Sequence, residues 1–123
     1  MWGAEPAAMP RYTRSLAAGE VVTVPYSSTV ADALAAQTPG PKCFPYVQSN
    51  AYGFATVDDA YILKGMRLLL TEGKVLAEPS SCIGLGALLQ GLIPVERDTR
   101  VCLLLSGGSV GIDQLRVLED VAL

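Results

Sequence analysis

Short apolar runs alternate along the chain with longer stretches in which hydrophobic residues recur at helical spacing. Four of these runs have the length of a strand, and each ends at a turn-forming or polar residue. They cover residues 2–6, 52–57, 75–79 and 101–105. Short runs of this kind are typical of strands in a parallel sheet that is covered on both faces.

The clearest helical pattern lies between Asp59 and Glu72. One face of that segment is apolar and consists of Ile62, Leu63, Met66, Leu69 and Leu70. Asp58 precedes the segment at the N-cap position, and Gly73 follows it at the C′ position. Similar but weaker patterns predict helices over residues 10–18, 80–91 and 112–121. In the last of these we expect the inward face to contain Ile112, Leu115, Leu118 and Val121.

Between residues 19 and 51 the pattern is weaker. Gly19 is suited to end the first helix, and a short apolar run at residues 21–25 leads into an Ala-rich segment. Ser28 or Thr29 could cap a small helix there. Residues 38–47 contain three prolines and a glycine. They are therefore predicted to form a loop, because prolines exclude a regular helix.

Small residues lie inside the predicted helix of residues 80–91, at Gly84, Gly86 and Ala87. A glycine in a helix interior costs about 1 kcal/mol relative to alanine. Two glycines in one turn are better explained by a close neighbour than by helix propensity. We therefore expect this helix to pack closely on the backbone of another element.

Strand and helix alternate strictly along the sequence. That order is the pattern of an α/β fold with right-handed crossovers. We predict a three-layer structure with a mostly parallel sheet and helices on both faces. The length of 123 residues is enough for one hydrophobic core, so residues 1–123 are predicted to form a single α/β domain.

Composition narrows the class of protein. Half of the residues are hydrophobic and 17% are charged, which excludes a disordered chain. The net charge of -3, without a basic cluster, argues against a nucleic-acid surface, and no apolar run approaches the ~20 residues of a membrane span. The N-terminus lacks the pattern of a signal peptide. Three cysteines without CxxC spacing, and no histidine, speak against a zinc site, so we expect free thiols in a cytoplasmic protein.

Candidate chemistry lies where the predicted strands end. In open parallel sheets, ligands bind beyond the carboxyl ends of the strands, and three strands carry Glu5, Glu78 and Ser106 there. The hydroxyl of Ser106 can bond a neutral ring nitrogen without adding charge, and Gly107 and Gly108 let a flat ligand approach the backbone. At Ser106 the pattern alone favours a plain turn. At Glu78 it fits a carboxylate that caps its neighbour at the strand end as well as it fits a ligand contact.

The helix that follows Glu78 offers a second possibility at the same place. Pro79 fixes the backbone, and Ser80 or Ser81 could cap the helix. Free N–H groups and a partial positive charge at a helix N-terminus favour an anion. The N-terminus of this helix is therefore a candidate site for an anion.

Five segments together resemble one family in order and spacing. They are GAEP, STVADALAAQTPGPKCFP, ATVDDAYILKGMRLLL, VLAEPSSCIGLGALL and VCLLLSGGSVG. The resemblance is to the C-terminal part of the pyridoxal-phosphate enzymes of the tryptophan synthase β type (fold type II), in the branch of serine/threonine dehydratases and serine racemase. It covers nearly the whole chain. It implies part of the large, cofactor-binding domain of such an enzyme.

The resemblance implies a cofactor site. Ser106 matches the serine that hydrogen-bonds the pyridine nitrogen of pyridoxal phosphate, and Glu78 matches a glutamate that lines the same pocket. Gly107 and Gly108 would let the backbone pass the edge of the ring. The asparagine and aspartate that close the family motif are replaced here by Ser109 and Gly111.

Other parts of the family's machinery do not match. The family carries a lysine that binds the cofactor covalently and a Gly-rich loop that holds its phosphate. Neither motif is present, and no lysine of this chain matches; these are Lys42, Lys64 and Lys74. Glu5 matches a carboxylate that holds a divalent cation in some members. Arg11 stands where the companion aspartate is expected, so we expect no metal site. Because the lysine motif is missing, we also expect no catalytic residue within the chain.

Two functions follow from this resemblance. In the first, the chain is the C-terminal portion of an L-serine or L-threonine dehydratase that acts on a small amino acid and is inactive alone. In the second, it is a non-catalytic remnant that binds a small molecule or itself. The choice between serine and threonine stays open. Exposed apolar surface is expected to drive homo-oligomerisation.

Overall fold

A parallel pair of strands forms the centre of the fold in the computed structural model, which describes residues 1–123. Strand β1 (Trp2–Pro6) pairs with β2 (Gly53–Val57), so that Trp2 lies opposite Gly53 and Pro6 opposite Val57. The apolar runs predict both strands. The ring of Trp2 lies over Gly53, which has no side chain to displace it, and 5.5 Å from the ring of Tyr52.

Five α-helices and two 3-10 turns complete the fold. The helices are α1 (Arg11–Ala18), α2 (Phe44–Asn50), α3 (Asp59–Thr71), α4 (Pro79–Leu89) and α5 (Ile112–Arg116). The 3-10 turns cover Asp32–Leu34 and Val117–Asp120. Helices α1, α3 and α4 agree with the prediction to within two residues at each end. Gly19 ends α1 with a φ of 75°, in the left-handed region that glycine adopts without strain.

Three of the sequence predictions for helices are wrong in detail. The predicted Ala-rich helix is only the 3-10 turn at Asp32–Leu34, and α2 begins inside the predicted loop, with Pro45 in its first turn. Proline is tolerated there because the first N–H groups of a helix have no intrahelical partner. The last predicted helix is divided into α5 and a 3-10 turn, and Ile112 is 72% exposed instead of inward.

Helices cover both faces of the strand pair. On one face, Ala55 and Val57 are buried against Ile83 and Ala87 of α4. On the other face, the ring of Phe54 stacks on Tyr12 of α1 at 5.0 Å. The structure is therefore α/β, with a parallel sheet between helical layers, as predicted. No helix is long and apolar enough to cross a membrane.

Close packing of α3 on α4 explains the small residues of α4. A Cβ atom added to Gly86 would lie 2.9 Å from the carbonyl oxygen of Tyr61, and one added to Gly65 would lie 3.0 Å from that of Cys82. Both neighbours are backbone atoms, so only glycine lets the two helices approach this closely. The prediction is confirmed for Gly86, whereas Gly84 faces the side chain of Leu103.

Two predicted strands are not strands in the structure, at residues 75–79 and 101–105. The backbone of residues 100–106 makes no hydrogen bond to other backbone groups, and Leu104 is 86% exposed. A strand needs a neighbour with which to form a ladder, and the sheet of this chain contains only β1 and β2.

A second apolar cluster packs the C-terminal segment against the outer side of α3. Met66, Ala77, Cys82 and Leu118 are buried in it, and Leu115 and Val121 pack partly against it. Three of the four positions expected to face inward in the last segment therefore do so. This cluster holds residues 75–78 close to the end of the chain, and it thereby positions the site described next.

Candidate functional site

Glu78 and the segment Ser106–Gly108 lie side by side. Glu78 is the N-cap residue of α4, and its backbone N–H donates to the carbonyl oxygen of Gly107 at 3.1 Å. This bond joins the segment that leads into α4 to the segment that contains Ser106. The structure therefore brings together the residues that the sequence pattern selected: Glu78, Ser106, Gly107 and Gly108.

Ser81, in the first turn of α4, connects the two segments through its side chain. Its hydroxyl oxygen accepts the N–H of Gly107 at 2.8 Å and lies 3.2 Å from the hydroxyl oxygen of Ser106. Ser81 is only 4% exposed, whereas Ser106 is open to solvent. Because a hydroxyl accepts and donates at once, Ser81 can hold both the backbone and the side chain of the opposite segment.

The expectation that Ser80 or Ser81 caps α4 is wrong. Glu78 occupies the N-cap position with extended backbone, and no side chain caps the helix. The hydroxyl of Ser80 accepts the N–H of Ala33 instead, at 3.2 Å. Both serines therefore bond to other segments of the chain, because residues 78–81 lie between two loops whose N–H groups need partners.

The carboxylate of Glu78 lies against Gly107. It accepts the N–H of Ser109 at 3.2 Å, and a Cβ atom added to Gly107 would lie 2.6 Å from its carboxyl carbon. A Cβ atom added to Gly108 would lie 3.1 Å from the carbonyl oxygen of Leu76. Any side chain at Gly107 would push the carboxylate aside, so this glycine keeps Glu78 next to Ser106.

Cys82 follows this group inside α4 and is fully buried. Burial, and secondly the negative charge of Glu78, raise the pKa of the Cys82 thiol from 9.0 to about 11. A thiol with such a pKa is neutral at physiological pH and is a poor nucleophile. Cys82 therefore belongs to the packing of α4 and supplies no reactive group to the site.

Glu5 lies apart from this group and is 2% exposed. Its carboxylate accepts the N–H groups of Tyr12 at 2.9 Å and of Thr13 at 2.7 Å, in the first turn of α1. Arg11 donates to the carbonyl oxygens of Leu34 and Ala36. Glu5 thus satisfies the N-terminus of α1, where a negative charge is favoured.

A profile described as "Pyridoxal-phosphate dependent enzyme" matches residues 1–107 of the chain. The chain belongs to this family. The cofactor of the family is pyridoxal phosphate. The matched part ends at Gly107, so it includes Glu78, Ser81 and Ser106.

Curated relatives of this pyridoxal-phosphate family member are amino-acid enzymes. An L-threo-3-hydroxyaspartate ammonia-lyase from Pseudomonas sp is 33% identical over 93% of this chain and 35% of its own length. An L-threonine ammonia-lyase from Geobacter sulfurreducens is 31% identical over 96% of this chain and 29% of its own length. A serine racemase from Arabidopsis thaliana is 32% identical over 91% of this chain and 35% of its own length. The chain spans about a third of the length of the curated relatives it matches.

Solved structures show the same fold. A threonine deaminase from T.th. superposes with a TM-score of 0.82 at 32% identity, over 89% of this chain and 35% of that chain. Maize serine racemase superposes with a TM-score of 0.84 at 31% identity, over 94% of this chain and 36% of that chain. The fold of this family member is thus one part of a larger enzyme fold.

The residues present fit one side of the cofactor. Ser106 presents an exposed hydroxyl for a ring nitrogen, and Gly107 leaves no side chain between that hydroxyl and Glu78. Two of the three lysines make other contacts: Lys64 lies 5.2 Å from the ring of Tyr61, and Lys74 donates to the carbonyl oxygen of Thr71. Neither is hydrogen-bonded to Ser106 or Glu78.

Proposed function

We propose that this chain forms the ring-nitrogen side of the cofactor site in an ammonia-lyase that acts on L-serine or L-threonine. It is catalytic only together with polypeptide that supplies the lysine and the phosphate loop. The proposal includes a cytoplasmic location and a homo-oligomeric assembly. The arrangement around Ser106 carries it: Ser81, 25 positions earlier in the chain, lies 3.2 Å from the exposed Ser106 hydroxyl, and Glu78 accepts the N–H of Ser109 beside it.

The hydrogen bonds around Ser81 support a donor role for Ser106. Ser81 accepts the N–H of Gly107 at 2.8 Å, so its own proton is free to be donated. If Ser81 donates to Ser106 across the 3.2 Å between their oxygens, the proton of Ser106 points outward. Ser106 then donates to a ring nitrogen, and Ser81 positions it without touching the cofactor.

The chemical nature of Ser106 favours elimination. When bound, pyridoxal phosphate withdraws electrons from the carbon next to the amino group of the substrate. A hydroxyl donor leaves the ring nitrogen neutral, whereas a carboxylate would hold it protonated. Ser106 therefore leaves the ring a weaker electron acceptor, which favours the loss of a β-hydroxyl group from serine or threonine. Glu78 lies next to Ser106 as a second polar group of the pocket.

The exposed apolar side chains support the proposed function and also the alternative of a non-catalytic remnant. Leu104 is 86% exposed and Ile112 is 72% exposed, and apolar surface of this kind favours association. In the alternative, the chain associates with itself and performs no catalysis. The two functions differ in whether Ser106 contributes to cofactor binding once the rest of the fold is present.

Borohydride trapping tests the proposal. The chain is mixed with pyridoxal phosphate, alone and with the part of the T.th. threonine deaminase that lies outside the match. After reduction, pyridoxyl-lysine is located by peptide mass spectrometry. We expect no selective labelling of the chain alone, and labelling of a lysine in the added polypeptide when both are present.

Variants of Ser106 and Ser109 sharpen the result. Removal of the Ser106 hydroxyl in S106A should weaken cofactor binding by about three- to tenfold, the equivalent of one neutral hydrogen bond. S109A is the matched control, because the side chain of Ser109 makes no hydrogen bond. Equal binding by the two variants contradicts the role of Ser106. Selective labelling of a lysine in the chain alone contradicts the need for a second polypeptide.

A further inference from the structure

The guanidinium of Arg11 lies against the loop that contains the 3-10 turn Asp32–Leu34. Its Nη1 group donates to the carbonyl oxygen of Leu34 and, at 3.0 Å, to that of Ala36. This nitrogen carries two hydrogens, so it can serve both acceptors at once. The two carbonyl oxygens therefore share one positively charged donor, which joins the loop to the first residue of α1.

The ring of Tyr12 supports the guanidinium from a second side. The central carbon of the Arg11 guanidinium lies 5.3 Å from the centre of that ring, and the ring itself stacks on Phe54 of β2. A planar guanidinium can stack on a ring and donate hydrogen bonds within its own plane at the same time, which the ammonium group of a lysine cannot. Arg11 is thus held between β2 and the loop.

The same loop contacts the first turn of α4 on its other side. The N–H of Ala33 donates to the hydroxyl of Ser80, next to Ser81, whose own hydroxyl lies 3.2 Å from that of Ser106. The loop is therefore bonded to α1 through Arg11 and to α4 through Ser80. A positive charge that holds this loop acts on backbone beside the candidate site.

The surroundings of Glu5 do not fit a divalent cation, although Glu5 matches a carboxylate that holds one in some members of the family. Both of its carboxylate oxygens accept N–H groups of α1, and the residue is 2% exposed. Hard cations need several oxygen ligands, and nowhere in the chain do three carboxylate, histidine or cysteine side chains come close enough together to hold a metal ion. Arg11 adds a positive charge and no acceptor where a second carboxylate is expected.

We propose that the guanidinium of Arg11 takes the place of a divalent cation in this chain and holds residues 32–36 on α1 with a permanent positive charge. Carbonyl oxygens are ligands of hard cations, and here two of them accept hydrogen bonds from the guanidinium instead. A guanidinium is always charged, and a chelator cannot remove it. The stability of the chain is therefore independent of Mg²⁺, Mn²⁺ and Ca²⁺.

Thermal melts followed by circular dichroism test this inference on the chain alone. A cation at about 100 times its Kd would raise the melting temperature of a domain of this size by roughly 10 °C. We expect the melting temperatures in millimolar Mg²⁺, Mn²⁺ or Ca²⁺ and in excess EDTA to agree within about 1 °C, because no cation binds the folded chain. A rise with any of the three cations that EDTA reverses overturns the proposal.

The variants R11A and R14A separate the loop contact from the loss of charge. Arg14 is on the same helix and is exposed, so R14A removes one positive charge without a change at the loop. The amides of Leu34 and Ala35 are hydrogen-bonded within the 3-10 turn. We expect them to exchange with deuterium at least about tenfold faster in R11A and at the unchanged rate in R14A. Equal exchange in the two variants would mean that Arg11 does not hold the loop.

The variant R11D supplies a second carboxylate near Glu5. Aspartate is favoured in the first turn of a helix, so α1 should keep its fold. We expect R11D to bind Mn²⁺, which the loss of the electron paramagnetic resonance signal of free Mn²⁺ reports, and to melt at a higher temperature with Mn²⁺ than in EDTA. The unchanged chain and R14A should do neither. If R11D binds no Mn²⁺, Arg11 does not stand in the place of a cation. No cofactor or second polypeptide is needed, so these outcomes are independent of borohydride trapping.

Discussion

Because α3 packs closely on α4, replacement of glycine by alanine should have opposite effects on stability at two positions of α4. Gly84 and Gly86 are both inside α4, so replacement by alanine improves helix propensity by about 1 kcal/mol at either position. The neighbours differ. A Cβ atom at Gly86 would lie 2.9 Å from the backbone oxygen of Tyr61, whereas one at Gly84 would lie 3.2 Å from a terminal methyl group of Leu103.

Whether each substitution raises or lowers the free energy of unfolding depends on which atoms the new methyl group contacts. At Gly84 the side chain of Leu103 can move by a few tenths of an ångström, so G84A should raise the free energy of unfolding by roughly 0.5–1 kcal/mol. At Gly86 the backbone of Tyr61 cannot move without separating the helices. Overpacking of this kind costs about 1–3 kcal/mol, so G86A should lower the free energy of unfolding by about 1 kcal/mol.

Urea denaturation, followed by circular dichroism and by tryptophan emission, measures both variants. We expect the two free energies of unfolding to differ by roughly 2 kcal/mol, with G84A the more stable. For a domain of this size the melting temperatures should then differ by several degrees, about 4 °C for each kcal/mol. If G86A is as stable as G84A, the helices do not touch at Gly86, and the close packing inferred from the glycines is wrong.

Three further predictions concern buried polar groups. E5A should lower the free energy of unfolding by about 2–3 kcal/mol in urea, because two partly buried N–H groups of α1 lose a charged acceptor, and E5Q should lower it less. The free energy of unfolding should fall as pH rises from 9.0 to about 11, because the unfolded chain releases the Cys82 proton at lower pH than the folded chain does. Urea melts at several pH values measure this fall, and C82A should remove the part of it that Cys82 causes. S81A should lower the free energy of unfolding by about 1–2 kcal/mol and should weaken cofactor trapping as much as S106A does, whereas S109A should change neither.

Local signals in the sequence predicted the elements that local interactions determine. The helical spacing from Ile62 to Leu70, with Asp58 before it, predicted α3, since a buried face and an end signal are both contained within one segment. The same holds for β1 and β2, whose residues pair directly with each other. Elements of this kind need no knowledge of the rest of the chain.

Interactions between distant segments could not be predicted in this way. Residues 101–105 have the composition of a strand, yet a strand is defined by a neighbour, and no other strand of the chain pairs with it. The role of Ser81 depends on Gly107, which is 26 positions away, and a serine in the first turn of a helix is ordinarily interpreted as a cap. Sequence motifs selected Glu78 and Ser106, but only the fold shows what holds them together.

The position of Trp2 gives the molecule an optical reporter. It is the only tryptophan of the chain, and it lies in β1 with its ring over Gly53 and near Tyr52. Its emission therefore depends on the pairing of β1 with β2, which keeps the indole against Gly53. Separation of the two strands changes the surroundings of this single indole, so loss of the strand pair can be followed in real time without any label.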